Sequence, residues 1–215
     1  MKLDDLLSSQ DGSPGVPTDR LRAALLAELA VTPMRSWRAD VVRLVGACWL
    51  LIAAVAGVLI AMGWVTVAFL AERASTIVGL LGLAAAFAFV AIAPRQGRRV
   101  SIALGVAAVA MVGLVLARQT GQVSAAPAWV CSVSQLLIAA APMIFGLSLL
   151  RQSAVTPGRA AVLGVAVGTT GAILGELVCE QGFAHVALWH VGAWALLAGA
   201  AAVASRRLVP RSFAP

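Results

Sequence analysis

Charge is scarce in this sequence, and so are the residues on which soluble catalysis is usually built. Only 12% of its 215 residues are charged, about half the share of an ordinary soluble domain. It has no tyrosine, two histidines and three cysteines, Cys48, Cys131 and Cys179. Three cysteines are too few for a disulfide scaffold. There is no Walker motif, no GxSxG and no HExxH, and no pair of acids falls in the middle of an apolar run. Both histidines lie on one apolar run, which excludes a haem held by histidines of two different helices. An enzyme is therefore not expected. The first forty residues carry charges throughout and lack the charged-then-apolar pattern of a secretory signal, so the first apolar run reads as an uncleaved anchor.

What the sequence has is apolar surface. Hydrophobic residues make up 61% of the chain and the mean hydropathy is +0.95. A soluble globule of this size has too much surface for its volume to hide such a composition. The formal charge of +7 would suggest nucleic-acid binding in a soluble protein. Here residues 1–43 carry six basic and six acidic groups, so the whole excess lies between and after the apolar runs, where a membrane protein keeps Arg and Lys for orientation. No direct nucleic-acid partner is expected.

In lipid, an open chain satisfies its backbone groups only as helix, and a span takes about 20 residues. Six runs qualify: Leu44–Leu70, Ala74–Ala93, Val100–Ala117, Trp129–Leu150, Ala160–Val178 and His185–Ala204. The first is longer than a span needs and is expected to tilt or to end in a short outer turn. The expected fold is all-α, an integral membrane bundle of six transmembrane helices over 44–208. A helical segment over 1–43 precedes it and a tail over 209–215 follows. With both termini in the cytoplasm, fourteen basic residues lie inside and two, Arg73 and Arg118, outside. That bias sets the orientation. Gly164, Gly168, Gly171 and Gly175 recur at helical spacing in the fifth run, as close helix packing requires. The two halves do not match as the inverted repeats of a transporter would.

Residues 1–43 cannot bury a core of their own. Leu3, Leu6 and Leu7 sit at helical spacing, a Gly- and Pro-containing linker follows over 11–17, and Leu21, Leu25 and Leu29 form a second stripe. The two stripes lie on the inner membrane surface or dock on a cytoplasmic protein.

Topology gathers polar groups on the outer side. Cys131 opens the fourth span; Glu176, Cys179 and Glu180 close the fifth; His185 and His190 open the sixth. Glu176 and Cys179, three apart, share a helix face. His185 and His190, five apart, point about 140° from one another on a straight α-helix, and so are not expected to bind one metal by themselves. His190, the deeper of the two, is an ionisable group inside the membrane and hence a candidate for function. Thiolate, imidazole and carboxylate are ligands for a soft or borderline transition-metal ion. Equally, Cys131 and Cys179 would form a disulfide on an oxidising face, or simply pack. Cys48, early in the first span, reads as a packing residue.

The C-terminal half carries a resemblance. Cys131, Gln135-Leu136-Leu137, Pro142, Leu149-Leu150-Arg151, Thr156-Pro157, the glycine stripe, Cys179 and Leu188-Trp189-His190 resemble the NrsF-like polytopic anti-sigma factors over roughly 128–208. That resemblance implies a bacterial inner-membrane protein whose N-terminal part holds an extracytoplasmic-function sigma factor. It further implies release of that factor under metal or oxidative stress sensed at Cys131 and Cys179. The HxxxCxxC zinc motif of soluble-domain anti-sigma factors is absent from the N-terminal segment. A small transporter or channel is the alternative, with Gln135 and Glu176 as its polar groups.

Overall fold

The computed structural model describes residues 36–94, 97–118, 127–151, 155–179 and 181–208. Among them there is no strand. Six helices are long and apolar enough to cross a membrane: α1 (Trp37–Ala61), α2 (Val67–Ile92), α3 (Gly97–Leu116), α4 (Trp129–Leu150), α5 (Pro157–Val178) and α6 (Phe183–Ser205). The protein is a multi-pass membrane protein. Leu3, Leu6, Leu7, Leu21, Leu25 and Leu29 lie outside the described residues, as do Glu180 and the 209–215 tail.

The first span differs most from its expected limits. Residues 37–43, assigned above to the cytoplasmic segment, are the first two turns of α1. Asp40 is buried there and accepts from Arg43 at 3.4 Å. At the other end α1 stops at Ala61, and the long apolar run is cut in two by a turn. Gly63 takes φ 72°, a backbone region open to glycine at little cost. Thr66 then caps α2, its hydroxyl accepting from the Phe69 N–H at 3.2 Å. As a result α2 takes in Glu72 and Arg73, which the sequence placed in a connection.

α5 is the axle of the bundle. Eighteen of its 22 residues are buried, and it packs against all five other helices. Its small residues make this possible. A Cβ on Gly164 would lie 2.5 Å from the Leu197 carbonyl oxygen, and Gly168 and Gly171 receive Trp194 of α6 and Gln135 of α4. Trp194, fully buried, also donates its indole N–H to the Val165 carbonyl at 2.7 Å. The glycine stripe is thus a row of sockets, as its spacing suggests. Cys48 is buried where α1 meets α2 and α5, beside Ala84, Ala88 and Ala166, in keeping with a packing role.

The helices run alternately up and down. At the end that carries the starts of α1, α3 and α5, Pro157 opens α5 and Thr156 caps it, accepting from the Arg159 N–H at 3.3 Å. Arg159 is itself buried and donates to the carbonyls of Ala91 and Ile92, each at 2.8 Å. Those carbonyls end α2 and have no partner in their own helix. The opposite end, called distal below, holds the starts of α2, α4 and α6.

Candidate functional site

Four side chains converge at the distal end. Cys131 stands in the first turn of α4, Cys179 caps α5, and His185 and His190 lie in the first turns of α6. One ligand atom from each lies within 4.8 Å of all the others. Cys179 and His190 are buried, and Cys131 and His185 half-buried. Both cysteines are free thiols.

The presence of both histidines in this set corrects the expectation from spacing. α6 is not a straight α-helix: Val186–Val191 form a π turn. Its wider i→i+5 hydrogen bonding brings residues five apart close to one face. The His185 and His190 rings accordingly meet, centroid to centroid, at 5.3 Å. Serine holds the turn to α4, since Ser132 Oγ donates to the Trp189 carbonyl at 2.5 Å. Gly175 makes room for His190; a Cβ there would stand 2.5 Å from its Nδ1.

Glu176 does not join the cluster, again against expectation. It is buried, and its two carboxylate oxygens are taken by two arginines: Arg73 Nη1 at 3.0 Å and Arg118 Nη2 at 2.5 Å. Arg118 also donates to the Cys179 carbonyl at 3.0 Å. α5 ends at Val178, and Cys179 follows in extended backbone at φ −112°, ψ 112°. This departure from helix takes its side chain off the face that Glu176 occupies. Between ion pair and cluster lies a space of about 10 Å³, the room of one water molecule, lined by Arg118, Glu176 and His190 among others.

The two arginines on the sparsely charged side are therefore structural. Sequence reasoning counted them for orientation and missed their partner. The signal available was that a lone buried-span acid and two exceptional arginines fall at the same end of the bundle.

The chemistry of the donor set fits a metal ion. Two sulfurs and two imidazole nitrogens are a familiar set for tetrahedral Zn²⁺ and softer ions. The Nε2 atoms of His185 and His190 are buried with no hydrogen-bond partner. Leaving such an atom unpaired costs about 1–3 kcal/mol, which a metal bond would remove. The thiol pair equally suits oxidation to a disulfide. Gln135, one turn deeper on α4, is also buried with both amide atoms unpartnered.

No family model matches the chain, and no solved structure does. A curated protein does match: the chain is 39% identical over 217 aligned residues to the carotenogenesis protein CarR of Myxococcus xanthus. The alignment covers 100% of this chain and 98% of that protein. Identity of that order along the whole of both chains places this six-helix membrane protein in the family of the carotenogenesis protein CarR.

Proposed function

We propose that the protein is a membrane-bound anti-sigma factor of the NrsF-like kind. It sequesters an extracytoplasmic-function sigma factor through its N-terminal segment and releases it on a signal received at the distal cluster. Kinship with a protein named for its part in carotenogenesis supports a regulatory role. The observation that carries the reading is the cluster itself: α4, the end of α5 and the start of α6 contribute Cys131, Cys179, His185 and His190 to one point.

The sidedness follows from the basic residues. With both ends of the chain in the cytoplasm of a bacterial inner membrane, fourteen of sixteen face inward. The leucine stripes of residues 3–29 then face the transcription machinery, and the thiols face the oxidising side. Metal binding or oxidation at Cys131 and Cys179 changes how the start of α4 sits on the end of α5. The change is transmitted only to the extent that the signal binds two packing states with different affinity. The alternative of a transporter gains little, because Glu176 is spent on two arginines rather than offered to a substrate.

The test is co-purification of the full-length chain from bacterial membranes with a co-expressed sigma factor. Retention that falls on exposure to metal or oxidant, and no longer falls in the Cys131→Ser/Cys179→Ser variant, supports the proposal. Absence of any retained sigma factor, with solute flux in liposomes, refutes it.

A further inference from the structure

The sequence from His185 to His190 contains one residue more than an α-helix needs to place two side chains on one face. Four residues apart would suffice in an α-helix; these are five apart, and the π turn Val186–Val191 absorbs the difference. We propose that this π turn completes a four-coordinate Cys2His2 site, made of Cys131, Cys179, His185 and His190, for a transition-metal ion that accepts tetrahedral sulfur and nitrogen ligands. The inference rests on the distal cluster being the receiving end of the protein, and it adds the donor set and the element that assembles it.

Three further observations point the same way. His190 is more than nine-tenths buried and its Nε2 has no partner, although the ring is held against Gly175. Second, the supports around the ligands are specific. Ser132, next to Cys131, ties α4 to the π turn through the Trp189 carbonyl, and Arg118 grips the carbonyl of Cys179. Contacts of this kind orient metal ligands from behind. Third, the spacing is close but open. Ligand atoms of a tetrahedral site with these bond lengths stand about 3.3–3.8 Å apart, whereas here they spread to 4.8 Å. An ion would draw α4, the end of α5 and the π turn of α6 toward one another by up to about 1 Å. As each sulfur bonds the ion, its thiol proton passes to solvent, so binding releases two protons.

A disulfide between Cys131 and Cys179 would use neither histidine, and this separates the two chemistries. The experiment is a titration of Co²⁺ alone, as a visible probe, into the reduced full-length protein in nanodiscs. The expected result is one equivalent bound, with the intense visible bands of tetrahedral Co²⁺ and thiolate charge transfer in the near ultraviolet, displaced by Zn²⁺. His185→Ala removes one imidazole and leaves the π turn, His190 and Trp194 in place. Cobalt affinity then falls about tenfold or more. Cys131→Ser, at the half-buried ligand contributed by α4, produces the same loss. A spectrum that is octahedral, or that His185→Ala leaves unchanged, overturns the proposal. Sigma-factor retention is measured separately by co-purification, so failure of the metal site does not masquerade as failure of the anti-sigma reading.

Discussion

The Nδ1–Cε1 edge of His190 comes up against the bare Cα of Gly175, where a Cβ would stand only 2.5 Å from Nδ1. A histidine at this depth is tolerated because the neighbouring helix gives up a side chain for it. The pairing links the packing of α5 on α6 directly to the cluster of thiols and imidazoles.

Gly175→Ala should therefore disturb both. Overpacking of this kind costs about 1–3 kcal/mol, read as a lower unfolding midpoint in detergent, and the displaced His190 should weaken cobalt binding. Gly113→Ala is the control: nothing lies within 4 Å of its Cβ position. That variant should be neutral or gain about 0.5–1 kcal/mol, as a helical glycine replaced by alanine does.

Glu176→Gln removes the only carboxylate that the structure sets against Arg73 and Arg118 among the described residues. Breaking one side of a buried ion pair costs about 3–5 kcal/mol, because the remaining charge is left uncompensated. The same change made together with Arg118→Met should cost less than the sum of the two single variants. Equal and additive losses in a double-mutant cycle would show that the triad contributes nothing as a unit.

Arg159→Met should loosen the junction of α5 with the end of α2. Two buried carbonyls, of Ala91 and Ile92, lose their donor, at about 2–3 kcal/mol for hydrogen bonds from a charged group. Arg159→Lys should recover little, since one ammonium does not reproduce the planar fork that meets both carbonyls. Unfolding midpoints of the two variants provide the check.

A mild thiol oxidant applied to the folded protein should consume two of the three cysteines. Cys131 and Cys179 lie together in the cluster, whereas Cys48 is buried among alanines of other helices. Alkylation after denaturation, followed by mass spectrometry, should find Cys48 alone still reactive. Prior loading with Zn²⁺ should protect the other two. Loss of Cys48 instead would mean that the distal thiols do not meet.

Six spans were legible because lipid imposes a length and a polarity that any apolar run either meets or fails. α4 occupies the very residues of its uncharged run, Trp129–Leu150. Where the run was too long, a single glycine at positive φ decided the division, and hydropathy holds no trace of that. The glycine stripe was legible as a packing face, but not what fills each socket. Of the site, Cys131, Cys179 and His190 come together as topology demanded. His185 joins them only through a π turn, a departure from helical period that spacing arguments assume away. Glu176 leaves the set because its partners come from residues 73 and 118, and pairings so distant in the chain leave no local mark.

The seclusion of α5 bears on how the distal cluster is held together. Its composition is tuned to touch protein on every side, so the oily environment never tests it directly. Among the described residues, four of the other spans precede it in the chain and one follows. Both imidazoles ride on that last span, so the thiols of α4 and α5 meet them only when α6 is seated against α5.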